Sequence, residues 1–89
     1  MKKKNAFNIL KKSGHKNIIE VTVKKNFFLA EHSHDFDVDI IIISGQLEIV
    51  TDSTSNLLVP GSRYKLKKNT IHTEKAGIED VFFLSARPE

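Results

Sequence analysis

Residues 26–45 read NFFLAEHSHDFDVDIIIISG, and the fold turns on how this stretch is read. Lys25-Asn26 opens it and Ser44-Gly45 closes it, both pairs being turn signals. His32 and His34 stand two apart, so in an extended strand both imidazoles project from one face. Further on, Val38, Ile40 and Ile42 share one face while Ile41 and Ile43 share the other. Past Asp39 the strand is therefore apolar on both sides, and its outer face needs a cover. In a chain of 89 residues that cover is expected from a second sheet or a partner subunit, and a homodimer is the preferred explanation. The first twenty-five residues are the alternative cover from within the chain.

Outward from this strand the pattern repeats in short pieces. Further turn signals fall at Ser13-Gly14, Asp52 to Asn56, Pro60-Gly61, Lys68-Asn69 and Ala76-Gly77. Between them lie β-branched or aromatic runs at Ile18–Val23, Phe27–Ala30, Val38–Ile43, Leu47–Thr51, Leu57–Val59, Arg63–Leu66 and Val81–Leu84. Short strands at such spacing predict an all-β sandwich or barrel. Residues 6–12 have room for a helical turn, although the apolar pattern there is too brief to decide.

Composition sets outer bounds on the function. Apolar residues make up 39% and charged residues 28%, an ordinary globular balance for one domain over residues 1–89 with a modest core. Cysteine is absent, which removes disulfides and thiolate metal sites. The longest aliphatic run, Ile40 to Ile43, is too short to span a bilayer. Lys2, Lys3 and Lys4 resemble a signal-peptide start, but Asn5, Asn8, Lys11 and Lys12 interrupt the apolar stretch that should follow. The expectation is a soluble, unexported, cytoplasmic protein. Residues 1–25 carry eight lysines against Glu20 alone, a net +7, while the remainder is −4. Residues 1–17 are accordingly read as a basic, peripheral segment. Such charge can attract nucleic-acid phosphates, but no recognition-helix or aromatic-interleaved basic motif accompanies it.

A second spacing joins the first. After Gly61 come five residues, then Lys67-Lys68-Asn69, two residues and His72. The turn at Lys68-Asn69 can bring a later strand, and His72 with it, beside His32 and His34. In order and spacing the two segments resemble the motifs of the cupin family. The first motif runs Gly, five residues, His-x-His, three or four residues, Glu, six residues, Gly. The second runs Gly, five residues, Pro-x-Gly, two residues, His, three residues, Asn. The resemblance covers residues 26–76 and implies a small antiparallel β-barrel of the jelly-roll or double-stranded β-helix type. It also implies a divalent-metal site at His32, His34 and His72, with Zn, Ni, Fe, Mn and Cu all candidates, since imidazole suits each.

The departures locate where this chain differs from that pattern. Asn26 and Asn69 replace glycines, and asparagine tolerates the left-handed backbone next best after glycine. Lys67 replaces a proline, and Ala76 stands where the motif's last asparagine would be. Most consequential is Val38, which occupies the glutamate position and cannot coordinate a metal. Asp37 and Asp39 flank it, yet alternation points both away from the histidine face unless a β-bulge turns Asp39 inward. Three readings follow: an all-histidine metal site, a metal-free apolar pocket holding the histidines, or a bulged site completed by Asp39. Phe36, Val38 and Ile40 are expected to line the pocket, with Tyr64 offering a hydroxyl or packing in the core. Arg63 either holds an anionic substrate or lies outside. Phe27, Phe28, Phe82 and Phe83 are read as core and interface, and His15 receives no role.

The resemblance does not fix a reaction, because one fold hosts many activities. The function read from the chain is a small metal-binding protein, acting as a metal-dependent enzyme on a small organic molecule or as a non-catalytic module that binds a small ligand or stabilises an assembly.

Overall fold

A computed structural model describes residues 1–52 and 54–88; Ser53, in the turn expected over residues 52–56, and Glu89 lie outside the described residues. Helix α1 (Lys3–Lys12) precedes eight strands: β1 (Asn17–Val23), β2 (Phe28–His32), β3 (Val38–Ser44), β4 (Leu47–Val50), β5 (Ser55–Leu58), β6 (Arg63–Leu66), β7 (His72–Ala76) and β8 (Val81–Arg87). The strands form two four-stranded antiparallel sheets, ordered β1-β8-β3-β6 and β2-β7-β4-β5. Every run predicted as a strand overlaps one, with Phe27, Thr51 and Val59 falling just outside, and β7 is the strand the run-by-run reading did not name.

The sheets face each other across one apolar layer. Val38, Ile40, Ile42, Leu66, Val81 and Phe83 of the first sheet meet Leu47, Ile49, Leu58 and Ala76 of the second. Alternation along β3 behaves as predicted, its even-numbered residues filling this layer. Turn chemistry holds as well. Asn26 and Asn69 take φ of 61° and 64°, the left-handed conformation expected of residues standing in for glycine. Gly45 is required outright: it has φ 79°, and a Cβ there would collide with the Asp80 carbonyl and Val81 Cα.

The outer face of β3 is covered by α1. Ala6 and Leu10, one turn apart on the helix, are fully buried against Ile41, Leu84 and Ala86. The basic segment expected at the periphery is thus a packed layer over residues 3–12. The cover anticipated from a second sheet or a partner comes from this chain, the alternative noted above. Packing must supply most of the helix's stability. Its first turn holds no acidic residue and its N-cap no side-chain bond, although Lys11 and Lys12 in the last turn suit the dipole. Among the described residues no helix is long and apolar enough to cross a membrane.

Candidate functional site

Two pieces of backbone bring three histidines together. The first is an irregularity in the β2–β7 ladder. Leu29 lies opposite Glu74 but His32 lies opposite His72, so β2 gains one residue between the two pairs. This bulge resets side-chain parity and puts His32 beside His72 on the interior of the second sheet. The second piece is the Lys67–Thr70 turn. Asn69 N–H donates to the His34 carbonyl at 2.6 Å, and Lys68 N–H donates to Asp37 Oδ1 at 2.8 Å. The left-handed Asn69 therefore anchors the segment carrying His34, which lies just past the end of β2 rather than within it.

The three rings pack closely. Centroid separations are 4.2 Å for His32–His72, 5.2 Å for His32–His34 and 5.6 Å for His34–His72. One candidate ligand nitrogen from each lies within 4.8 Å of the others. A metal with bonds of about 2.1 Å needs nitrogens roughly 3–4 Å apart, so small side-chain adjustments would close the set. Hydrogen bonds fix the tautomers of two rings. His32 Nδ1–H donates to the Ala30 carbonyl at 2.8 Å, and His72 Nδ1–H donates to the Thr70 carbonyl at 2.9 Å. With the proton on Nδ1, each ring in its neutral form presents Nε2 as a bare acceptor, the arrangement that orients a metal-ligating imidazole.

A carboxylate stands at these two acceptors, and it is Glu74. Its Oε2 lies 3.2 Å from His32 Nε2 and 3.4 Å from His72 Nε2, with its side chain 12% exposed. His32 Nε2 is buried and makes no hydrogen bond among the described residues, although the oxygen is at ion-pair distance. Two ring acceptors facing an acceptor oxygen need a cation or a proton between them. Sequence reasoning missed Glu74. The signal was present: in His72-Thr73-Glu74 the first and third side chains share one strand face.

His34 completes the set differently. Burial pushes its pKa down, and the neighbouring His32, His72 and Arg87 push the same way against the opposing pull of Glu74. The neutral ring, able to ligate, is therefore favoured. Phe36 stacks on it at 5.3 Å. Val38 and Ile40 join the interior layer as expected. Tyr64 packs against that layer, and its hydroxyl accepts a 3.4 Å hydrogen bond from Asn56 Nδ2.

Asp39 does not complete this site. It lies on the opposite face of β3, 4% exposed, where Arg63 donates to Oδ1 at 3.0 Å through Nε and to Oδ2 at 2.7 Å. His15 Nε2 lies 2.8 Å from the same Oδ2. The bulge that would have turned Asp39 inward is absent from this part of β3, which pairs in unbroken register with β6 from Val38 to Ile41. Arg63 is thus held on the outer face, and His15 has a role after all. Arg63 also donates to Ser13 Oγ at 2.9 Å, so the cluster fastens the end of α1 and the start of β1 to the sheet. Of the four phenylalanines, Phe83 is in the core, whereas Phe27 and Phe28 are 51% and 56% exposed.

Solved structures place this architecture. The chain is similar to a cupin-2 domain protein from Shewanella frigidimarina NCIMB 400, with TM-score 0.70 and 22% identity over 93% of this chain and 92% of that one. It is also similar to the DMSP lyase DddQ from Ruegeria pomeroyi DSS-3, with TM-score 0.73 and 15% identity over 81% of this chain but only 37% of the lyase. A third likeness is to Drosophila melanogaster CENP-C in its complex with CAL1, at TM-score 0.70 and 9% identity over 80% and 60% of the two chains. No family model and no curated protein matches the chain. At these identities the likenesses establish the fold, an all-β small cupin, and a DMSP lyase and CENP-C on one fold carry no shared activity.

Proposed function

We propose that His32, His34 and His72, with Glu74 as a fourth donor, bind a divalent transition-metal ion, and that the chain is a metal-dependent cupin acting on a small organic molecule. The observation that carries this reading is the pair of Nε2 acceptors aimed at the Glu74 carboxylate, which only a cation or proton reconciles. Three imidazoles and one carboxylate suit Zn, Ni, Fe, Mn or Cu, and availability selects among them. A bound ion would supply Lewis-acid polarisation of a ligand oxygen. Phe36 and Tyr64 would bound the ligand's apolar side. Glu74 also answers the objection that Val38 leaves the site without a carboxylate.

Elemental analysis of untagged protein tests the reading. Metal near one equivalent is expected, lost in His32→Ala and His72→Ala, with affinity about tenfold or more weaker in Glu74→Gln. Protein that stays metal-free after incubation with all five ions would overturn it. A second reading, a non-catalytic ligand-binding module, draws on Val38, which leaves the first motif's glutamate position without a donor. Turnover by the metal-loaded protein separates the two.

The homodimer belongs to this proposal on new ground. With Ile41 covered by α1, the interface we infer is the outer face of the second sheet. There Phe28, Lys75, Glu48 and Leu57 form one cross-strand row. Phe28 and Leu57 are 56% and 62% exposed.

A further inference from the structure

A cavity of about 740 Å³ lies away from His32, His34 and His72, none of which lines it. It is a groove on the outer side of the first sheet, between the α1–β1 connection, β6 and the end of β8. Strand β6 and the residues around Val38 and Ala86 edge it, and its walls carry Lys16, Arg63, Lys65, Lys67 and Arg87 against two carboxylates, Asp37 and Asp39.

Both carboxylates are already engaged. Asp39 is taken by Arg63 and His15, and Asp37 accepts the Lys68 N–H. Arg63 cancels the charge of Asp39, whereas Asp37 keeps its own because the Lys68 N–H is neutral, so Lys16, Lys65, Lys67 and Arg87 against Asp37 leave a net +3. Arg87 supplies an independent observation. Its guanidinium carbon lies 5.5 Å from the Phe36 ring centroid, and its Nε is buried with no acceptor among the described residues. A guanidinium stays protonated, so a buried donor of this kind is incompletely satisfied until an acceptor arrives. Cationic walls suit a compact anion that brings its own acceptors.

We propose that this groove binds a small molecule carrying two or more oxyanion groups, phosphate or carboxylate, held by Lys16, Lys65, Lys67 and Arg87. The volume lies within the range of small-molecule sites, about 300–1,000 Å³. A nucleic acid fits less well, because of the eight lysines in residues 1–25 only Lys16 lines the groove. The proposal needs no metal, and Arg87, over the Phe36 ring that stacks on His34, borders the histidine cluster as well as the groove.

Amide NMR titration of the wild-type protein at low salt tests it, with pyrophosphate and tricarballylate as separate probes. Saturable shifts are expected at residues 14–16, 65–67 and 86–87, and the tighter probe distinguishes phosphate from carboxylate recognition. The double variant Lys65→Glu/Lys67→Glu, altering two exposed side chains, should weaken binding about tenfold or more. Lys11→Glu/Lys12→Glu, with the same change in net charge on α1, should leave it within about twofold. Equal losses in the two variants would reduce the effect to net charge and overturn the site. Absence of saturable shifts, or shifts centred on His32, His34 and His72, would overturn it too. So would tighter binding of a single-stranded oligonucleotide with shifts spread along the α1 lysines.

Discussion

Asp39 shows how much one buried carboxylate can organise. Register places it opposite Lys65, but its bonds run to Arg63, two residues away on the same face of β6, and to His15. Burial alone would raise its pKa, yet the hydrogen bonds and charges of Arg63 and His15 outweigh burial and hold it below its ordinary value near 3.8. A carboxyl with a depressed folded pKa stabilises the fold above its unfolded pKa and loses that contribution as pH falls through the folded value. Denaturation of wild type and Asp39→Asn should therefore differ most near neutrality, and the gap should close as pH drops below about 4. A gap that persists unchanged into acid would show that the charge of Asp39 contributes nothing. Metal content should be the same in both proteins, since Asp39 lies on the far side of β3 from the histidines. The carboxylate beside the histidines is instead Glu74 of β7.

At the scale of elements, α1 and β3 depend on each other. The helix buries Ala6 and Leu10 completely, and beneath them Ile41 is 1% exposed. Leu10→Ala should destabilise the protein by about 2–4 kcal/mol, the usual cost of emptying a packed site, read from the urea midpoint. A cost below about 0.5 kcal/mol would mean that the helix is loosely seated. The β2 bulge is the other deciding element. Without its extra residue, His32 would face away from His72 and Glu74 of β7.

For the whole molecule, covering one sheet leaves the other as the exposed apolar surface. If copies associate through the row Phe28, Lys75, Glu48 and Leu57, Phe28→Ser/Leu57→Ser should be monomeric in sedimentation where wild type is dimeric. Its unfolding midpoint at matched monomeric concentration should scarcely move, because both side chains are already exposed. Wild-type protein that remains monomeric at high concentration would remove the dimer. The molecule then presents a histidine–carboxylate cluster between the sheets and a cationic groove outside them, with Arg87 bordering both.

The sequence by itself determined what depends on a few neighbouring residues. The left-handed turns at Asn26 and Asn69 follow from residue type, and alternation puts Val38 inside and Asp39 outside. The H-x-H pair and the second spacing name His32, His34 and His72 together. Tertiary structure alone decided which distant groups meet. It seated α1 over Ile41, brought Glu74 to His32, and closed Arg63 and His15 on Asp39 across 24 residues in either direction. The reason is range: backbone preference and side-chain alternation act over a few residues, whereas these contacts depend on strand order and register, which pairing between distant segments sets.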